Sequence, residues 1–439
     1  MAVVFAGVAA AQVPQPSLER ERVDEDLGFT AAASGLRYRV VEVPQASHAT
    51  VVAVVRVGQW HDPAGQTGIT HVLNTLVTLT QEARPETERW SVKTTGPGTV
   101  FAVTCPRAEL AARLAELSRF LGGELSFDDD LVARAKARAR MWADDFLHVV
   151  PGPLSIENAR RTLCKGTPAG KQAFGVPAEM EALDAATLRA WFDARVRPEH
   201  TTLVVLGGLD RGVVEETCAH AFTRKGERTE PAALTVHDSA QPVSFEQPHA
   251  RVAAPFVSVA FPTPTQGSRD WLPFVVAMGV VAMRCQHDFV DYRGREAEGG
   301  FPFFWWDYRH GDSFALINRR GASSEAGLNR DVAAVRREML ATIRRLRTVA
   351  PDLKEVQLAA YEAALSLMLP PYAGQLEAMA KHAALLMPRA ELLAMADVLG
   401  WPATIPVDLG KVGVSEVVRV LQAALADDKL TWFVLMPKE

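Results

Sequence analysis

The chain has 439 residues, 48% of them hydrophobic and 23% charged, with a formal net charge of −5. That is ordinary globular composition, with length for more than one packed unit. The slightly acidic balance argues against a nucleic-acid binder, and after the first few residues no apolar run is long enough to cross a bilayer.

Residues 1–12 carry an apolar core and small residues up to Ala11, the pattern that ends a secretory signal peptide. Residues 1–27 therefore read as a signal-peptide remnant and linker, and the protein is expected outside the cytoplasm, periplasmic or secreted. The basic segment that opens such peptides is missing, so the bland alternative is an alanine-rich start without a targeting role. Cys105, Cys164, Cys218 and Cys285 are scattered, with no C-x-x-C pair to suggest a metal site. Buried free thiols are a simpler expectation than a disulfide.

Residues 36–43 and 50–57 read as strands. The second is nearly all apolar and is expected at the centre of its sheet. A helix is predicted over 68–80, where Ile69, Val72, Leu73, Leu76 and Leu79 recur with a helical period. His71, Asn74 and Thr75, three and four residues apart, share one face of it. Residues 91–105 alternate around Gly96-Pro97-Gly98, which predicts a hairpin. Helices follow over 108–121, 128–146, 154–163 and 184–196, then a buried strand over 201–210 and a closing helix over 211–222. The arginines and lysine of the 128–146 helix read as a solvated face.

Residues 224–247 are polar, contain Pro231 and Pro242, and show no period, which marks a linker. The second half, 248–439, repeats the order of the first, 28–223. It has a strand over 251–261, a helix over 271–285, and strands over 301–307 and 313–319. Helices over 329–349, 353–369, 372–386 and 415–426 lead to a last strand over 430–436. The predicted fold class is α+β: two duplicated halves, each an antiparallel-rich sheet packed with helices and long enough to bury its own core.

The strand, glycine turn and helix around His71 resemble the zinc-binding region of the insulinase/pitrilysin metallopeptidases, which include the mitochondrial processing peptidases. The likeness in element order runs from residue 28 to the C-terminus and implies a clamshell of paired α+β halves. In that family the helix reads H-x-x-E-H. Two histidines hold zinc, and the glutamate takes the proton of the attacking water. This chain reads His71-Val72-Leu73-Asn74-Thr75. Asparagine has no basicity near neutral pH, and a threonine hydroxyl is a poor zinc ligand. The family's third ligand is a glutamate on the helix after the hairpin. Asp144 or Asp145 falls near that place, and Glu157 lies in a later segment. His71 and Asp144 are thus vestiges, too few for a tetrahedral site. Neither a catalytic residue nor a zinc cofactor is expected, and the alternative is a zinc metalloendopeptidase with an atypical ligand set.

Some relatives divide the labour between two chains: one keeps the zinc motif, and the other supplies an arginine and a tyrosine in a pattern close to R-x-x-x-G-x-x-Y. Arg295 and Gly299 match the arginine and glycine, while Pro302 or Phe303 stands at the tyrosine and carries no hydroxyl. Arg295 and Phe303 are the candidate substrate-binding residues. The bland reading makes Arg295 a solvated arginine and the ring-rich stretch 301–308 a strand that buries alternate side chains. The resemblance implies a non-catalytic subunit, paired as a heterodimer with an active zinc-bearing homologue in peptide processing, with peptides as further partners. Scaffolding in a larger extracytoplasmic or membrane-associated assembly is the other reading.

Overall fold

The computed structural model of the protein describes residues 28–43, 45–148, 151–224, 244–249, 255–289, 303–305, 314–320, 323–324, 327–328, 332–367, 383–401 and 408–437. The amino-terminal 27 residues and most of the helix expected over 372–386 lie outside them.

The first sheet contains β1 (Thr30–Ala31), β2 (Arg37–Glu42), β3 (His48–Val55), β4 (Ser91–Thr94), β5 (Thr99–Pro106) and β6 (Thr201–Gly207). Its order is β1-β2-β6-β3-β5-β4. Only the β2–β6 pair is parallel. The apolar run of β3 explains its central place: it is buried from Ala49 to Val55, between β6 and β5. Around the sheet run α1 (Ile69–Leu79), α2 (Leu110–Leu121), α3 (Asp129–His148), α4 (Pro151–Leu163), the short α5 (Pro177–Glu181), α6 (Ala185–Arg195) and α7 (Arg211–His220).

The second half contains β7 (Ser244–His249), β8 (Phe256–Pro262), α8 (Trp271–Phe289), β9 (Phe303–Trp305), β10 (Phe314–Arg320) and a small ribbon of β11 (Ser323–Ser324) with β12 (Gly327–Leu328). Then come α9 (Val332–Thr348), α10 (Leu353–Leu367), α11 (Leu386–Val398), α12 (Val414–Ala424) and β13 (Thr431–Pro437). The sheet order is β7-β13-β8-β10-β9, and only β7–β13 is parallel. Five of the six strands of the first sheet recur in the same order, with β7 in the place of β2 and β13 in the place of β6, and β1 has no counterpart among the described residues. The fold is α+β with two duplicated, antiparallel-rich sheets. The stretch read as linker ends in β7, so the second sheet begins at Ser244.

The halves do not cover their own sheets alone. One face of the first sheet, with Val51, Ala53 and Val55, packs against Ile69, Val72 and Leu76 of α1 and Leu114, Leu117 and Leu121 of α2. The opposite face, with Val52, Val54, Val204 and Leu206, joins one continuous core with the second-half helices. The element lying across β3, β5 and β6 there is α11. In return α4, from the first half, lies on β8, β10 and β13. Its Leu154 packs with Leu435, and its Ala159 and Leu163 with Ala260, Leu316 and Phe433. Each half thus lends one helix to the other's sheet.

A buried polar cluster fixes the lent helix. Asp397, near the end of α11, is buried. Its Oδ1 accepts from Arg37 Nε at 2.9 Å and Nη2 at 2.5 Å, and its Oδ2 from Arg56 Nη2 at 3.1 Å and Thr202 Oγ1 at 2.7 Å. Burial alone would push this carboxyl up, but the Arg37, Thr202 and Arg56 donors overcome that and hold it below the usual carboxylate range.

Cys105 and Cys218 are free thiols and buried, and Cys164 is buried too. Burial pushes Cys105 up to about 11 and Cys218 to about 12, so these thiols are inert packing groups. No helix among the described residues is long and apolar enough to cross a membrane.

Candidate functional site

The site is built on α1. Its start is set by Asp62, a buried carboxylate six residues ahead of Gly68. Asp62 Oδ2 accepts from Gly68 N at 2.7 Å, and Oδ1 from Thr70 Oγ1 at 2.5 Å and, more weakly, from Thr70 N at 3.4 Å. These bonds occupy helix N-terminal donors that have no partner within the helix. Burial raises Asp62 to about 6, against the hydrogen bonds from Thr70 and Gly68 and the charge of Lys171. Gly68 sits at φ 88, a conformation that suits glycine, in close approach to the backbone of Gly175.

His71 points between α1 and α3. The latter approaches closely because its inner face is small, with Ala135, Ala139 and Ala143 buried along it. His71 is half-buried, and its Nε2 is covered and makes no hydrogen bond with any described residue. The ring meets Phe174 edge-on, with centroids 4.9 Å apart and planes at 68°. Burial lowers His71 to about 4, and a hydrogen bond to the Ala139 backbone carbonyl opposes this only in part. His71 is therefore neutral at physiological pH.

Asn74 is buried, and its Nδ2 donates to Thr94 Oγ1 at 2.6 Å and Thr99 Oγ1 at 3.3 Å. Thr99 Oγ1 in turn donates to the Val57 carbonyl at 2.7 Å. Asn74 is thus a bracket between helix and hairpin. Thr75 Oγ1 donates back to the His71 carbonyl at 2.9 Å, a local helix bond. Asp144 and Asp145 are exposed on α3. Glu157 is buried on α4, where Oε1 accepts from Ala173 N at 3.0 Å and Oε2 from Arg160 Nη1 at 3.2 Å. Burial raises its carboxyl in spite of Arg160 and the Ala173 bond. Arg295 lies outside the described residues. Phe303 is in β9, where its backbone is paired with Asn318 of β10.

This donor set does not fit zinc. It offers one imidazole, an amide and a hydroxyl already engaged, and an exposed aspartate. Among the described residues no group of three His, Cys, Asp or Glu is placed to hold a metal ion. The sequence reading missed Asp62, just ahead of α1, and Lys171, Phe174 and Glu179, which reach the start of α1 from the segment after α4. The one trace of them in the sequence is Gly175, which the close backbone crossing requires.

No family profile matches the sequence, and no curated protein matches it. Solved structures do match in fold. A protease from Helicobacter pylori aligns with a TM-score of 0.76 at 15% identity, over 93% of this chain and 99% of that one. A peptidase M16 inactive domain from Pseudomonas fluorescens aligns with a TM-score of 0.71 at 14% identity, over 94% of this chain and 98% of that one. The periplasmic protease PqqL from Escherichia coli aligns with a TM-score of 0.71 at 12% identity, over 93% of this chain but only 47% of its own length. The chain has the M16, insulinase-like fold, and it spans about half of PqqL.

Proposed function

We propose that this protein is a non-catalytic member of the insulinase/pitrilysin type, a subunit that completes a peptide-processing shell with an active, zinc-bearing homologue. The observation that carries the proposal is the state of α1. The positions that would ligate zinc and activate water hold Asn74 and Thr75, whose polar atoms are engaged in the fold. Asparagine cannot serve as a general base, and one imidazole cannot hold a catalytic zinc. A fold shared with an inactive M16 domain agrees with lost chemistry. A periplasmic protease about twice as long, half of which this chain matches, suits a shell assembled from two such units.

The proposed location is extracytoplasmic, which the amino-terminal pattern and the periplasmic neighbour support. Arg295 and Phe303 are proposed to face peptide in the assembled shell, and His71 and Asp144 to be vestiges with no metal between them.

The test is affinity purification of the tagged chain from its own cells. The expected result is co-purification of a chain with an intact H-x-x-E-H motif, with zinc in stoichiometric amount and chelator-sensitive peptide cleavage in the complex. Recovery within a larger assembly that lacks such a chain would favour the scaffolding role instead.

A further inference from the structure

The segment 171–179 crosses the start of α1 and is fastened at both ends. Lys171 Nζ donates to the Trp60 carbonyl at 2.7 Å and the Asp62 carbonyl at 2.5 Å. At the other end Glu179 Oε2 accepts from Thr67 N at 2.8 Å and Thr67 Oγ1 at 2.7 Å. Val176 N donates to that same hydroxyl at 3.0 Å. Between these points buried Glu157 takes the Ala173 amide, and Gly175 presses on the Gly68 backbone so closely that a Cβ would lie 2.3 Å from Gly68 Cα.

Phe174, in the middle, has φ 65. A non-glycine residue in that region is strained and is held there only when its surroundings impose it. Here the fastenings impose it, and they hold the Phe174 ring against His71. His71 Nε2, on the ring that Phe174 meets, is covered and has no hydrogen-bond partner among the described residues. A buried polar atom left unsatisfied is unfavourable, and a phenylalanine ring has no polar group to offer it. Strain and an unmet ring nitrogen therefore coincide at one point, over the face of α1 on which His71 lies.

We propose that Phe174 is the built-in occupant of an aromatic subsite over His71, and that the 171–179 strap keeps this subsite closed. The ligand chemistry that suits the subsite is a phenol, as in a tyrosyl side chain. Its ring fills the space of Phe174, and its hydroxyl, able to donate or accept, supplies the partner that Nε2 lacks. This inference holds with or without a partner subunit, since every contact in it lies within one chain.

The test uses the full-length chain and diethyl pyrocarbonate, which modifies accessible neutral imidazoles, with each histidine followed by mass spectrometry. In the unaltered protein His71 is expected to react far more slowly than exposed His220. Phe174→Gly, which also relieves the backbone conformation, is expected to speed His71 modification by about tenfold, the factor that about 1.4 kcal/mol of cover gives. Phe174→Leu, which keeps an apolar cover, is expected to fall between the two. Added phenol is expected to return the glycine variant toward the original rate, and toluene, which has no donor, to do so less. Equal rates for His71 and His220 in the unaltered chain, no acceleration in either variant, or equal protection by toluene and phenol would each overturn the proposal.

Discussion

His71 and Asp62 stand nine residues apart, flank the start of one helix, and respond to acid in opposite senses. His71 has its pKa lowered to about 4, so between that value and the ordinary 6.5 the unfolded chain binds a proton that the folded chain refuses. The stability it contributes is present above the ordinary value and is lost as pH falls. Asp62 is raised to about 6, so over part of the same range the folded state binds the extra proton and gains relative stability on acidification. The two effects oppose each other in the whole protein, and a variant separates them. From about pH 7 to about pH 5 the unaltered chain should lose about 2 kcal/mol more than His71→Gln, read from urea unfolding at each pH. Equal losses would mean that His71 titrates freely. Part of this site was legible in the sequence: that Asn74 is no base and Thr75 a poor zinc ligand follows from residue type alone. What Asn74 does instead was not legible, because Thr94 and Thr99 are brought to it by the hairpin and not by spacing along the chain. Phe174 is more distant still, separated from His71 by three intervening helices.

α1 could be read from its amphipathic period, and β3 from an apolar run bounded by turns. α11 could not. Leu386, Ala390 and the whole run Leu392–Val398 are buried, so it has no polar face to set a period, and Pro388 near its start looks like a break. β7 was missed for the opposite reason: Ser244-Phe245-Glu246-Gln247-Pro248-His249 is polar and contains a proline, tolerable because this strand is at the sheet edge. Yet α11 is the element that closes the first sheet, and Asp397 fixes it there. Asp397→Ala would leave Arg56 buried without its carboxylate and is expected to cost about 3–5 kcal/mol. Because its folded pKa is depressed, the contribution of Asp397 is present above the ordinary carboxylate value and fades only as pH falls through the folded one. Denaturant melts near neutrality should show the full deficit of the variant, and melts in strong acid a smaller one. A deficit under 1 kcal/mol near neutrality, the order of an exposed ion pair, would contradict the clasp.

At the scale of the molecule the duplication is a topological repeat whose copies are interlocked. Period and composition indicate that a face is buried, but not which element buries it, so the exchange of α4 and α11 could not be read from sequence. It has a direct consequence: the fragment 28–224 alone would expose Val52, Val54, Val204 and Leu206 to water. It is expected to be poorly soluble or to lack sharp unfolding when expressed alone, and to regain both when co-expressed with residues 244–439; a cooperatively folded, soluble 28–224 would refute the shared core. The most direct test is metal analysis of the isolated, purified chain together with a peptide-cleavage assay with and without chelator. The account predicts no stoichiometric zinc and no chelator-sensitive hydrolysis. One bound zinc per chain, with cleavage that chelation abolishes and zinc restores, would contradict it.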